Sequence, residues 1–194
     1  MVRNAKYYLA EEQYRKASDS QQRKMLVDDP CFCEGQQTLS DAIENLRNEQ
    51  RTTCFANLDA SLSGKTKVAL LVADMDRMRI MNDEFGFLAG DTVLFPVAQM
   101  FEKRFGDKFY QHGDQFNAFI AGDHVSKAQE LAESIRLEVE NLRIKDHPEL
   151  KATISVGLAF SDNTGSTRDD LLRRAEDALW QAKRGGANCV RIYK

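Results

Sequence analysis

Residues 110–116 read YQHGDQF, and the middle of this stretch has the composition of a tight turn. Phe116 then opens an apolar run. The pattern predicts a β-hairpin whose strands lie at residues 108–111 and 116–121. Asp114 at the tip carries a short carboxylate, which suits either an ordinary turn residue or a ligand for a group bound on the turn.

A buried strand is expected before this hairpin. Residues 68–73 read VALLVA and are followed by Asp74 and Asp76. A short apolar run without alternation is typical of a strand covered on both faces. If the hairpin pairs with this strand, Asp74 and Asp114 meet, and two carboxylates with backbone carbonyls and a phosphate would make a Mg²⁺ site. The alternative is that Asp74 caps the next turn and Asp114 fills a turn position.

The remaining pattern from residue 67 onward alternates strands and helices. Apolar spacing predicts a helix at 92–105, and Ser126 with Gln129 forms a capping box for another. Residues 151–160 alternate as a strand, Thr167 begins a last helix, and residues 190–193 form a closing strand. The order is β-α-β-β-α-β-α-β, which predicts an α/β (α+β) domain with a central sheet and helices packed on it.

The first part of the chain has a different character. Residues 2–27 are mostly helix formers with few apolar side chains, and six basic against three acidic residues give positions 1–27 a charge of +3. We expect an exposed helix that needs a partner and mediates self-association. Pro30 should break it, and a second helix should follow with Thr38 or Ser40 as its cap.

Bulk composition excludes several classes of protein. The 194 residues fit one domain with an appendage, and the net charge of −3 gives no general attraction to nucleic acid or anionic membrane. The four cysteines form no CxxC pair, so a zinc site is not expected. Without a long apolar run, we expect a cytoplasmic protein with no membrane segment within this chain.

Four motifs occur together in one order: DMDRMRIMNDEFGFLAGD (74–91), HGDQF (112–116), ISVGLAF (154–160) and AEDALWQAKRGGAN (175–188). In order and approximate spacing they resemble the GGDEF domain of diguanylate cyclases, over residues 28–194. The resemblance implies a fold like the nucleotidyl cyclase and polymerase palm, with a mostly antiparallel sheet. It also implies a homodimer in which two facing domains each hold one GTP and condense them into cyclic di-GMP with Mg²⁺ or Mn²⁺.

By this resemblance, Asp74 and Asp114 are the metal carboxylates and belong to the catalytic set with Gln115. The fourth signature position, occupied by Gln115, normally carries a carboxylate. Glutamine has nearly the same shape but cannot be an anion or a base. His112 replaces the first glycine of the signature, where its side chain either crowds the nucleotide or adds a metal ligand.

The resemblance also implies nucleotide-binding residues. Asn82 and Asp91 would hydrogen-bond the guanine edge, while Arg79 and Lys183 would lie on the phosphate side. The alternatives are that Asn82 is a loop residue, Asp91 a helix N-cap and Lys183 a solvated lysine at a helix end.

Other positions depart from the family pattern. Ala187 stands where the family has a phosphate-binding arginine, and Phe87 replaces a histidine. Loss of a group that stabilises a transition state typically costs about 10²- to 10³-fold in rate. We therefore expect a degenerate domain that binds GTP or cyclic di-GMP as a regulatory module and passes its state to a protein partner; the alternative is an active diguanylate cyclase.

A product-inhibition site is a further expectation. Arg104 and Asp107 have the family's Arg-x-x-Asp form, although the gap to His112 is one residue shorter than usual. Arg136 lies where a second inhibitory arginine often occurs. The alternative for Arg104 is a solvated residue at the end of a helix.

Overall fold

Helices and strands of this computed structural model are described for residues 30–144, 148–162 and 165–194. The predicted helix 2–27, its role in self-association and the domain boundary at 27/28 lie outside these residues. The chain divides into two compact units, Met1–Glu49 and Gln50–Lys194. No described helix combines the length and the apolar character needed to span a bilayer.

The described elements follow the predicted order, with the helix after the first strand divided in two. They are α1 (Pro30–Ser63), β1 (Val68–Met75), α2 (Met78–Phe85), α3 (Phe87–Phe105), β2 (Phe109–His112), β3 (Gln115–Ala121), α4 (Ala128–Glu140), β4 (Ile154–Phe160), α5 (Arg168–Arg184) and β5 (Val190–Ile192).

The strands form one sheet in the order β2-β3-β1-β4-β5. β1 pairs antiparallel with both β3 and β4, β2 pairs antiparallel with β3, and only the β4–β5 pair is parallel. The predicted mostly antiparallel sheet is therefore confirmed, and so is the hairpin next to β1.

β1 is buried on both faces, as its unbroken apolar sequence predicted. Alternate residues contribute to two separate core clusters, because successive side chains of a strand point to opposite faces. Leu71 belongs to the cluster that includes Phe101 of α3 and Ile135 of α4. Leu70 belongs to the cluster that includes Leu58 of α1 and Leu171 of α5.

The starts of three helices test the predicted caps. Thr38 and Ser40 both lie inside α1, so the predicted cap at either residue is wrong. The capping box at Ser126 is also wrong, since its hydroxyl donates to the carbonyl of Asp123 and α4 begins only at Ala128. Thr167 does cap α5, accepting a hydrogen bond from the Asp170 N–H at 3.2 Å.

Helix α5 lies unusually close to β4 at Gly157. A Cβ atom on this glycine would lie 2.0 Å from the Ala175 carbonyl oxygen and 2.3 Å from the Leu179 nitrogen. The backbone of the helix therefore packs directly on the backbone of the strand, with no room for a side chain between them.

Candidate functional site

The hairpin turn consists of Gly113 and Asp114, between the ends of β2 and β3. Gly113 has a φ of 62° while Asp114 does not have a positive φ, as in a type II′ turn. The side-chain amide of Gln111 donates to the Gly113 carbonyl at 2.7 Å. The one glycine that this turn geometry requires, Gly113, is thus present. His112, which replaces the first glycine of the signature, is an exposed residue at the end of β2.

The turn lies against the end of β1, so the expected meeting of Asp74 and Asp114 is confirmed. The Met75 N–H donates to the Asp114 carbonyl at 3.2 Å, and Asp74 pairs with Gln115 in the β1–β3 register. Burial raises the pKa of the Asp74 carboxyl; its bond to Lys183 opposes this effect and the charge of Asp114 adds to it. The two carboxylates are therefore close enough for the charge of Asp114 to affect the protonation of Asp74.

Lys183, in the last turn of α5, points its ammonium group into this carboxylate cluster. It donates to Asp74 Oδ1 and, at 2.8 Å, to the Met75 carbonyl. Its nitrogen is also 3.3 Å from Asp76 Oδ1. The interpretation of Lys183 as a solvated lysine at a helix end is wrong, because only 31% of its side chain is exposed and all three neighbours are oxygens.

Asp76 is a buried member of the site that the sequence analysis did not include among the site residues. Its side chain is 3% exposed and accepts hydrogen bonds from Thr153 Oγ1 at 2.8 Å and Ser155 Oγ at 2.7 Å. The backbone N–H of Asn188 donates at 3.0 Å to Asp76 Oδ2, the oxygen that also accepts from Thr153. The available signal was its position two residues after Asp74, which placed it at the same strand end.

The turn that follows α5 is held in an uncommon backbone conformation. Gly186, Ala187 and Asn188 have φ values of 116°, 63° and 47°, a region that disfavours side chains. Asn188 is fixed by its N–H bond to Asp76 and by side-chain bonds to Arg136 at 2.9 Å and Glu140 at 2.7 Å. The bond between Asn188 and Asp76 thus holds position 187 beside the carboxylate cluster. This is the position where the resemblance implies a phosphate-binding arginine.

Asn82 lies within α2 and Asp91 within α3, so neither is a loop residue or a helix N-cap and both of those alternatives are wrong. The Oδ1 atom of Asn82 is buried without a hydrogen-bond partner. It lies against Gly90, where a Cβ atom would come within 2.2 Å of it. A buried unpaired amide oxygen is unfavourable, so this atom would gain free energy from a ligand that brings it a donor.

Other predicted residues lie at the edges of the site. The Arg79 side chain is 94% exposed and comes within 4.0 Å of Asp83 on its own helix. Gln115 Oε1 accepts a long hydrogen bond from Asn117 Nδ2 at 3.4 Å, within β3. No contact joins Arg79 or His112 to the carboxylate cluster in the described hydrogen bonds and ion pairs.

The three residues of the predicted inhibitory site are each tied to a different partner. Arg104 pairs with Glu138 of α4, and Asp107 accepts from the Asn57 side-chain amide at 3.0 Å. Arg136 pairs with Glu133 at 2.8 Å, which raises its pKa, and also with Glu140. Arg104 is therefore not merely solvated, and none of these contacts joins the three residues to one another.

The oxygen atoms around Asp74 can supply part of the coordination shell of a hard divalent cation, but not all of it. Within the described residues, no group of three or more His, Cys, Asp or Glu side chains is placed to hold a metal ion. Asp74 and Asp114 offer carboxylates, and Met75 offers a carbonyl oxygen. Mg²⁺ commonly takes one or two carboxylates and completes its shell with water and substrate phosphates, so these residues fit it.

Comparison with known proteins agrees with this geometry. The family model described as "Diguanylate cyclase, GGDEF domain" matches residues 38–189. Diguanylate cyclase DgcM of Escherichia coli K12 is 35% identical over 125 residues, which cover 63% of this chain and 30% of that protein. Diguanylate cyclase A of Treponema denticola is 30% identical over 141 residues, covering 71% and 38%. The chain thus spans about a third of the length of these curated relatives.

Solved structures show the same fold. The active GGEEF domain of a diguanylate cyclase from Vibrio cholerae superposes with a TM-score of 0.65 at 26% identity, covering 72% of this chain and 94% of that one. The GGDEF domain of DgcB from Caulobacter crescentus, in complex with c-di-GMP, gives a TM-score of 0.64 at 26% identity, covering 78% and 87%.

Proposed function

The chain belongs to the GGDEF family of diguanylate cyclase domains, and we propose that it serves cyclic di-GMP signalling as a degenerate member that binds GTP or cyclic di-GMP. In this proposal its cyclase activity is weak or lost, and its output is a regulatory state passed to a partner. The observation that carries the proposal is the pairing of Asp74 with a neutral residue, Gln115, beside an otherwise assembled site.

The nucleotide-binding side supports this proposal. The buried Asn82 Oδ1 has unused hydrogen-bonding capacity at the position assigned to guanine, whose N1 and N2 groups are donors. Lys183 presents an ammonium group beside Asp74, where the phosphates are expected. Asp91 and Arg79 are the further residues proposed for the guanine and phosphate ends.

The catalytic side supports the loss of activity. Asp74 and Asp114 would hold Mg²⁺ or Mn²⁺ with the Met75 carbonyl, and such an ion neutralises charge and lowers the pKa of a hydroxyl nucleophile. Gln115 adds no charge to that set, and Ala187 adds no phosphate clamp. Each loss is expected to cost about 10²- to 10³-fold in rate, so binding should outlast turnover.

An active diguanylate cyclase is the second candidate, and one observation favours it. The Gly113–Asp114 turn and its contact with Met75 keep both metal carboxylates together despite the changed signature. This function requires a homodimer, since two GTP molecules must face each other. The inhibitory site proposed at Arg104, Asp107 and Arg136 would matter most in this case.

One experiment with two readouts tests the proposal. The protein is titrated with GTP and with cyclic di-GMP in Mg²⁺ by calorimetry, and a parallel sample is incubated with GTP and Mg²⁺ or Mn²⁺ before chromatography of the products. We expect binding with little or no cyclic di-GMP formed. Rapid formation of cyclic di-GMP establishes the second candidate, and absence of binding at millimolar nucleotide rejects both.

A further inference from the structure

We propose that the ammonium group of Lys183 is a built-in cation that blocks divalent-metal binding until a nucleotide phosphate draws it away. The inference rests on the proposed function in one respect, because it assumes that the cluster of Asp74 and Asp114 is a metal site. It assigns Lys183 a second role, as gatekeeper of that site, beside its proposed contact with phosphate.

The contacts of Lys183 carry the argument. Its nitrogen is bonded to a carboxylate oxygen of Asp74 and to the Met75 carbonyl at 2.8 Å, and lies 3.3 Å from a second carboxylate, Asp76. Carboxylate and carbonyl oxygens are also the ligands preferred by Mg²⁺ and Mn²⁺. The ammonium and the metal therefore compete for the same oxygen atoms.

Electrostatics makes this competition strong. A divalent ion on Asp74 Oδ1 would lie within a few ångströms of the ammonium that already contacts this oxygen. Two positive charges at such a distance repel strongly even with the effective screening of a protein surface. With Gln115 neutral, no additional carboxylate from the signature turn compensates, so the nucleotide-free site should have little affinity for a metal.

Lys183 can leave this position without disturbing the rest of the site, provided that the metal ion replaces it as the partner of Asp74. Its side chain is partly exposed, and it lies in the last turn of α5, just before Gly185 and Gly186. Asp76 would keep its hydrogen bonds from Thr153, Ser155 and the Asn188 N–H after Lys183 moved. A phosphate bound near the turn that follows α5 would offer the ammonium a new anionic partner. Phosphate and metal should therefore bind with positive coupling.

The test is metal binding by the nucleotide-free protein. Mn²⁺ is titrated into the full chain and free Mn²⁺ is followed by electron paramagnetic resonance, for wild type, Lys183→Met and the matched control Arg184→Met. Arg184 is the next residue, exposed and stacked on Trp180, 4.6 Å from the ring centre, and its replacement changes net charge equally. Circular dichroism establishes that each variant is folded.

We expect Lys183→Met to bind Mn²⁺ at least about tenfold more tightly than wild type, because the substitution removes a positive charge next to the ion. Arg184→Met should stay within about twofold of wild type, since its charge is more distant and screened. Adding Asp74→Asn to Lys183→Met should abolish the gain. Lys183→Gln is measured in the same way if the methionine variant fails to fold.

Equal Mn²⁺ affinity of Lys183→Met and wild type, or an equal gain in Arg184→Met, overturns the proposal. These titrations contain no nucleotide, so their result does not depend on whether GTP binds. A protein that binds neither GTP nor cyclic di-GMP in Mg²⁺ would instead reject the proposed function, which keeps the two failures apart.

Discussion

Asp74 and Gln115 are directly paired in the β1–β3 ladder, which places the end of β1 opposite the start of β3. The side chain at position 115 therefore lies next to Asp74, because directly opposite residues are close neighbours in an antiparallel pair. An amide at this position accepts a hydrogen bond from Asn117 but brings no negative charge. The exchange of one oxygen for nitrogen at this position thus removes a negative charge from beside Asp74.

Restoring the family residues should restore cyclase chemistry. We expect the triple variant His112→Gly, Gln115→Glu, Ala187→Arg to form cyclic di-GMP at a readily detected rate, and each single change to do little. Groups that act on one transition state have strongly non-additive effects. Position 187 already holds a side chain at positive φ, so arginine adds no new backbone strain there. Product is measured by chromatography after incubation with GTP and Mg²⁺.

The matched control for this experiment is Asp114→Asn in the triple variant. It removes a proposed metal carboxylate while leaving the turn glycine, Gly113, in place. Its activity should fall to the background of the unmodified protein. Rapid cyclic di-GMP formation by the unmodified protein would show instead that Gln115 is no handicap.

Replacement of Asn82 should separate binding from stability. Asn82→Ala removes a buried oxygen that has no partner, so we expect no loss of folding stability and a drop of about tenfold or more in GTP affinity. Glu84→Ala is the matched control, since Glu84 also lies in α2 and is exposed. Calorimetry gives the affinity and urea unfolding the stability. A parallel loss of affinity in both variants would contradict a specific guanine contact.

Asp76 should be among the most sensitive positions for folding. Asp76→Ala leaves Thr153, Ser155 and the Asn188 N–H without their acceptor, and we expect a loss of about 3 kcal/mol. Urea unfolding at neutral pH measures the effect, with Asp83→Ala as the control that should change little. A change below about 1 kcal/mol would mean that these hydrogen bonds are easily replaced by water.

Two neighbouring residues at positive φ should respond oppositely to glycine. Ala187→Gly should stabilise the fold by up to about 1 kcal/mol, because relief of left-handed strain exceeds the added backbone entropy. Asn188→Gly should destabilise it by about 1 kcal/mol, because the bonds to Arg136 and Glu140 are lost. Thermal or urea unfolding of both variants decides the sign. Equal signs would indicate that the side-chain bonds of Asn188 contribute nothing.

Cys54 should resist alkylation in the folded protein. Burial, with a smaller contribution from Asp107, raises the pKa of its thiol from 9.0 to about 12. A raised thiol pKa favours the neutral form, so at pH 8.5 the native protein should carry almost no reactive thiolate at this position. Peptide mass spectrometry after iodoacetamide treatment should find Cys189 modified well before Cys54, and both modified in urea. Between pH 9 and 12 this group alone should lower stability, since only the unfolded chain releases the proton.

The sequence allowed the central strand and the hairpin to be predicted because their signals are local. The unbroken apolar run at 68–73 indicated burial on both faces, and a glycine next to Asp114 indicated the turn. Ser126 misled because a cap depends on which residue adopts the first helical φ and ψ, and a short 3-10 turn precedes α4 here. Asp76 was missed as a site residue because its partners, at 153, 155 and 188, are distant in sequence.

The close packing at Gly157 determines where the ammonium group of Lys183 lies, although glycine itself carries no functional group. A methyl group there would overlap the α5 backbone at Ala175 and Leu179 and would force the helix outward from the sheet. Lys183 lies one turn beyond Leu179, so its ammonium would retreat from Asp74 along with the helix. The absence of a side chain at Gly157 thus sets the distance between α5 and the sheet. The position of the positive charge next to Asp74 depends on that distance.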